Sequence, residues 1–282
     1  MVNLDEYREK SLQTWDKMSA GWHSWRDYLY DATGPLRSWI VRELDPKPGD
    51  TILDVAAGVG DTGFAAAEKI APEGRLISTD FAAGMVDAAR KRAEELGITN
   101  AEFRQLDAER MDLEDDSVDR VLSRWGYMLM ADPATALKET NRVLRPEGRL
   151  VFVVWATPDK NLWAATPGMV MVERGAMPPP EPGAPGIFAL ADHDRIRELV
   201  TAAGFADPKI EEVPFIFEYE DLDLHWRATT ELAGPLAAAL AQLPADEQQA
   251  VKDEVGSRLE QFHKNGRYEV PAASIGVVAE PK

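Results

Sequence analysis

The sequence predicts a doubly wound α/β sheet, and three observations predict it. Short apolar runs alternate with helical patterns between residues 50 and 155. A glycine-rich turn, DVAAGVGDTG at 54–63, closes the first of those runs. Acids stand at the ends of successive runs, at Asp54, Asp80 and Asp107. Strands alternating with helices imply a parallel sheet covered on both faces, with ligands at its carboxyl edge.

The elements follow in order. TILDV (51–55) reads as the first strand, and a helix begins at Gly63 and runs to Ile70. RLIST (75–79) is a second strand ending at Asp80. Residues 85–96 form a helix, with Met85, Ala88, Ala89, Arg92 and Ala93 along one face. Glu102–Leu106 is a third strand and Asp119–Ser123 a fourth. Pro133–Leu144 is a helix with proline near its start, stopped by PEG at 146–148. Leu150–Trp155 is apolar throughout, as expected of a central parallel strand.

Three further segments flank this core, expected at 49–155. Residues 1–48 read as a helical cap rich in aromatics, among them Trp15, Trp22, Trp25, Tyr28, Tyr30 and Trp39. Residues 156–190 hold seven prolines and four glycines, too long a stretch for an ordinary connection, and read as a lid insertion. Residues 191–282 complete the sheet with a helix at 194–203, a strand at 209–219, helices at about 221–241 and 245–263, and a last strand at 272–279.

Composition narrows the function. The chain has 282 residues, 45% of them hydrophobic, enough for one sizeable core. No apolar run nears the roughly 20 residues that span a bilayer, and MVNLDEYREK lacks the apolar stretch of a signal peptide. The expectation is a cytoplasmic protein without membrane insertion. With no cysteine, disulfides, thiolate metal sites and cysteine nucleophiles are excluded. A formal charge of −18 argues against a nucleic-acid partner, which basic patches serve. The acidic run DLEDDSVD (112–119) lacks calcium-loop spacing and reads as a solvated turn, so no metal is expected.

The glycine turn matches a dinucleotide fingerprint as Gly58-x-Gly60-x-x-Gly63. A pyrophosphate there would rest on a helix N-terminus. Asp61, inside the turn, and Asp54 beside it repel such a group. They suit S-adenosylmethionine, which has no phosphate and carries an ammonium and a sulfonium. The acid-x-Gly-x-Gly-x-Gly pattern of such enzymes reads Asp54-x-Ala56-x-Gly58-x-Gly60, with alanine tolerated at 56 if its φ stays negative. Asp80 is placed to accept both ribose hydroxyls, a feature that fits NAD equally. Asp107 and the Ala108 N–H are placed at an adenine edge.

On these residues, with STDFAAGMVDAAR (78–90), QLDAERMDLEDDSVDRVLSRWG (105–126) and ALKETNRVLRPEGRLVFVVW (136–155), the chain resembles class I S-adenosylmethionine-dependent methyltransferases. Within them it is most similar to the ubiquinone/menaquinone C-methyltransferase-like group. The resemblance implies a Rossmann-like, seven-stranded sheet whose last strand is antiparallel. It also implies cofactor contacts: Asp54 through the turn to the ammonium, Gly58 and Gly60 at the backbone approach, and Asp80 at the ribose. Phe81 and Met85 would flank the adenine, Ser123 to Trp125 the sulfonium, and Trp22 would close over it. The product would be S-adenosylhomocysteine. The Pro-rich insertion departs from the quinone enzymes, so their substrate does not transfer.

The acceptor is expected to be a small, largely apolar molecule among Trp25, Tyr28, Tyr127 and Met128. Candidates for a base are His23 and His225, and Arg124 is a candidate for fixing an anionic group. The alternatives are an NAD(P)-dependent oxidoreductase and a cofactor-binding protein without catalysis. The segment WDKMSAGWHSW also suits a homodimer contact.

Overall fold

The computed structural model describes residues 3–181 and 183–282. The first two residues of the expected cap and Pro182 of the expected insertion lie outside the described residues. Three helices open the chain: α1 (Leu4–Ser24), α2 (Arg26–Ala32) and α3 (Gly34–Leu44). The alternating core follows as β1 (Thr51–Val55), α4 (Asp61–Ile70), β2 (Arg75–Asp80), α5 (Ala83–Leu96), β3 (Ala101–Gln105), β4 (Val118–Arg124), α6 (Pro133–Val143) and β5 (Leu144–Trp155). After it come α7 (Leu162–Glu173), α8 (His193–Ala202), β6 (Lys209–Tyr219), α9 (Leu222–Leu232), α10 (Gly234–Leu240), α11 (Ala245–Leu259), β7 (His263–Lys264) and β8 (Arg267–Ala279).

The strands form one sheet in the order β3-β2-β1-β4-β5-β8-β6, with β7 paired to β8 alone. The pairs among β1 to β5 are parallel. β8 lies between β5 and β6 and is antiparallel to both. This is the expected Rossmann-like sheet with an antiparallel final strand, plus the two-residue β7. Leu150 to Trp155 is buried on both faces, as a central strand requires. Its neighbours Val121 and Leu122 of β4 and Val277 of β8 are buried with it.

Local signals set the helix boundaries. The Asn3 side chain accepts from the Asp5 and Glu6 N–H groups and caps α1. Asp132 does the same for α6, with Pro133 in its first turn. Gly97, left-handed at φ 71°, ends α5.

Two expectations are corrected. The 156–190 segment contains α7, which carries Pro167 in its interior and buries Ala165, Thr166, Val170 and Met171. An apolar helix interrupted by proline shows no amphipathic period, so composition alone reads it as a loop. The stretch expected to be one helix at 221–241 is two, because Pro235 opens a new first turn in α10. No helix of the described residues is long and apolar enough to cross a membrane.

Candidate functional site

The glycine turn stands at the carboxyl end of β1 and leads into α4. Gly58 is left-handed at φ 58°, with no atom within 4 Å of where a side chain would stand. Gly60, at φ 88°, begins α4, and a side chain there would enter the Phe64 ring. A side chain at Gly63 would collide with the Asp54 carboxylate. The glycines therefore serve different needs: open backbone at 58, close packing at 60 and 63.

Ala56 overturns an expectation. Its φ is +55°, not negative. An L-residue there costs about 1–2 kcal/mol, so this position has the geometry for which glycine is the natural choice. Its Cβ would stand 2.8 Å from a Cβ on Gly126, just past β4. The tips of β1 and β4 thus meet where glycine at 126 leaves room for alanine at 56.

The acids occupy distinct environments. Both Asp80 oxygens are held by backbone, Oδ2 accepting from Gly58 N at 3.0 Å and Oδ1 from Ala82 N at 3.0 Å. Each oxygen retains a lone pair for a further donor. Burial outweighs these donors and pushes the Asp80 pKa up to about 6. Asp54 is almost wholly buried, its Oδ2 has no partner among the described residues, and burial pushes its pKa well above the carboxylate range. Asp61 accepts from Arg92 Nε at 3.1 Å through Oδ1, while its Oδ2 is buried without a partner among the described residues. Burial raises its pKa too, opposed by Arg124 and Arg92. Asp107 lies two residues beyond β3 and accepts the Glu109 N–H at 2.9 Å. Ala108 beside it is buried, as are Met85 and Ala82.

Helix α1 covers this edge. Its Asp16 accepts the Gly84 N–H at 2.9 Å at the start of α5. Gly84 permits this seating, since a side chain would come within 2.7 Å of Ser19 Oγ. At the other end Tyr7 donates to the Leu129 carbonyl, and Arg8 pairs with the buried Glu109. Trp22 packs edge-on to Trp15, and its buried Nε1 has no partner among the described residues. A surface recess of about 530 Å³ lies elsewhere: Asp50, Asp119 and Arg145 line it at the amino ends of the strands.

A matching family profile, described as a methyltransferase domain, covers residues 46–171. The demethylmenaquinone methyltransferase of Clavibacter sepedonicus is 32% identical over 195 residues, which span 63% of this chain and 78% of that protein. The chain belongs to the class I S-adenosylmethionine-dependent methyltransferases. The ubiquinone/menaquinone biosynthesis C-methyltransferase of Teredinibacter turnerae is 29% identical over 149 residues, 52% of this methyltransferase and 55% of that protein. This methyltransferase spans about half the length of two such curated methyltransferase relatives, and about a third of an uncharacterized transposon protein of Streptomyces fradiae that it matches at 39% identity. The solved YcgJ protein of Bacillus subtilis shares the fold, with a TM-score of 0.57 at 18% identity over 87% of this chain and 98% of that one.

The residues fit S-adenosylmethionine. Asp80 has lone pairs left for two ribose hydroxyls, Gly58 leaves its backbone open beside them, and Asp54 carries a buried oxygen without a partner. The methyltransferase family shown by the sequence match sets the NAD(P) alternative aside.

Other predicted residues of this methyltransferase fall in different places. Ser123 is fully buried, its Oγ without a partner among the described residues. Trp125 stacks on Trp155 with ring centroids 4.1 Å apart and donates to Ser274 Oγ at 3.0 Å. Tyr127 is enclosed in the core, bonded to Thr140 Oγ1 at 2.6 Å and packed on Phe152. Met128 is buried with its sulfur under the Trp155 N–H. The structure thus places both in the core rather than on a substrate surface. Trp25 donates to Glu231 and Tyr28 to the Glu218 carbonyl. Tyr28 stacks on Phe217 and Tyr219, in an aromatic wall continued by Trp163, Trp155 and Phe215. His23 and His225 each have a buried Nδ1 without a partner among the described residues, on separate helices.

One residue that positions the site was visible only as an oddity. Arg92 sits in the alanine face of α5, and its guanidinium reaches Asp61, Asp27 of α2 and Glu95. An arginine within an apolar helix face was the signal; its partners are remote in sequence.

Proposed function

We propose that this methyltransferase moves a methyl group from S-adenosylmethionine to a small, largely apolar acceptor. The observation that carries the reading is the carboxyl-edge cradle, in which Asp80, pinned by two backbone donors, faces the open backbone of Gly58. When bound, the cofactor supplies a methyl group on a cationic sulfur that leaves with the C–S electron pair as a neutral thioether. The chain's part is positioning, which can carry much of the rate of an in-line displacement. Asp80 would hold the ribose, Asp107 and Ala108 the adenine edge, Asp54 the ammonium, and α1 with Trp22 would exclude water. We assign the 156–190 segment, with α7, to the acceptor side and read α1 with this segment as the parts that move on binding.

The aromatic side chains around His225 would form an apolar acceptor surface once the 156–190 segment moves, and His225 would supply its polar point. His225 is 1% exposed and its Nε2 lies 3.0 Å from the Trp163 carbonyl. A carbonyl only accepts, so Nε2 carries the proton and Nδ1 is a bare acceptor. Burial lowers the His225 pKa to about 4, which keeps the ring neutral at pH 7. His225 then orients an acceptor O–H or N–H rather than storing charge.

Calorimetry with S-adenosylhomocysteine tests the cradle. Asp80→Ala should weaken binding at least tenfold, about 1.4 kcal/mol. In the unaltered protein, affinity should be level above pH 7 and fall as pH drops through about 6, because the ionised carboxylate is the better acceptor. Asp80→Asn should flatten that dependence. Unchanged affinity in folded Asp80→Ala would end the ribose assignment. Methyl incorporation from labelled cofactor into a metabolite extract separates catalysis from mere binding.

A further inference from the structure

A second recess, of about 370 Å³, opens between α3 and α4 and reverses the charge balance of the chain. Three bases line it, Arg37, Arg42 and Lys69, against one acid, Glu68. The whole chain has 49 acids to 31 bases. The recess at the amino ends of the strands is built otherwise. Its two arginines already meet acids of the same lining, Arg145 at Asp119 and Arg120 at 3.6 Å from Asp50. Between α3 and α4, Arg42 turns to Glu43 at 3.1 Å, but neither Arg37 nor Lys69 enters an ion pair within 4.0 Å among the described residues. Arg124 also lacks one there, but it ends β4, 3.4 Å from Thr33 Oγ1 and over the Trp125 ring, and belongs to the carboxyl edge already described.

Arg37 is the base that helix electrostatics does not account for. Arg42 and Lys69 stand in the last turns of α3 and α4, where a cation complements the helix dipole. Arg37 stands near the start of α3, where a cation opposes it. Its guanidinium is nevertheless held in place, 3.5 Å from the centre of the Tyr30 ring, with one N–H donated to the Tyr30 carbonyl at 2.7 Å. The rest of its five N–H groups find no acceptor among the described residues. A stacked, preset fork with free donors matches the paired oxygens of a phosphate.

We propose that this recess binds the phosphate of a small, soluble phosphomonoester. Arg37 supplies the fork, Lys69 a second positive charge and Ser38 a hydroxyl donor, while Val41 and Ala65 meet the organic part. A volume of about 370 Å³ lies at the small end of ligand pockets, which run from about 300 to 1,000 Å³. A net charge of −18 repels an anionic membrane, which favours a soluble phosphate over a lipid headgroup. The site shares no residue with the Asp80 cradle and stands apart from the methyl-transfer reading.

Phenyl phosphate, titrated calorimetrically into the full chain in phosphate-free buffer, should bind saturably at one site. Arg37→Gln should weaken it at least tenfold and Lys69→Gln at least threefold. Glu68→Gln should tighten it at least twofold, a gain that damage to the fold would not produce. Arg145→Gln, in the other recess, should leave it within twofold. No saturable binding, or equal losses in Arg37→Gln and Arg145→Gln, overturns the inference. Competition by S-adenosylhomocysteine overturns it too, by putting the phosphate in the cradle. Co-sedimentation with phosphatidylcholine vesicles containing phosphatidic acid, abolished by Arg37→Gln and without binding of phenyl phosphate, would assign the anion to a lipid and overturn the soluble ligand. If Arg37→Gln does not fold, Arg37→Lys keeps the charge and loses the fork. It should weaken phenyl phosphate at least threefold, and no change there overturns the inference equally.

Discussion

Two non-glycine residues stand in the left-handed region at adjacent strand tips, Ala56 at φ 55° after β1 and Trp125 at φ 65° after β4. Such conformations cost free energy and persist only where the surroundings impose them. Ala56→Gly should remove the steric part of that cost. The gain is limited by the greater freedom of glycine in the unfolded chain, so about 1 kcal/mol is expected. Thermal unfolding checks it, with a rise in Tm of about 2 °C expected; a fall would show that the Ala56 methyl packing against Gly126 matters more. Sequence alone made the alanine visible but not its dihedral, because φ at 56 is set by how β1 and β4 meet across Gly126. Asp80 was legible for the opposite reason: a strand end and a glycine turn fix its place locally. Tyr127 and Met128 were misread because the chain after β4 turns them under β5, and no local pattern records that turn.

Among the elements, the linkage through Arg92 has the largest consequence. One guanidinium joins α2 by Asp27, α4 by Asp61 and α5 by Glu95. Asp27 is exposed, so its pair adds little. Asp61 is 3% exposed, and removing its partner leaves a buried charge unpaired. Arg92→Met should therefore cost about 3 kcal/mol in denaturant unfolding. Adding Asp61→Asn to it should restore most of the loss. If the two costs simply add, the pair does not act as a unit. The alternating elements from β1 to β5 were legible because each carries its own period. Helix α7 was not, since an apolar helix with an internal proline has no polar face to mark it.

At the scale of the molecule, 49 acids face 31 bases. Many of the bases are already paired at close range, as Arg142 is with Glu139 and Asp115. The excess negative charge acts over longer distances, and salt screens those first, with a Debye length of about 10 Å at 0.1 M. Raising sodium chloride from about 10 to 200 mM should then raise Tm, by relieving self-repulsion more than it weakens the pairs. A falling Tm over that range would mean that the ion pairs dominate.

The place of β8 has a bearing on how the chain is made. Among the described residues strand β6 pairs with β8 alone, and β5 borders β8 on its far side. During synthesis the edges of β5 and β6 therefore stay bare until Arg267–Ala279 clears the ribosome. The proposed cofactor cradle, at the ends of β1, β2 and β3, is complete in sequence long before that. Assembly of the half carrying His225 waits on β8. Ligand arriving early would meet a finished cradle beside an unsealed sheet, a stage at which chaperones have exposed strand edges to hold.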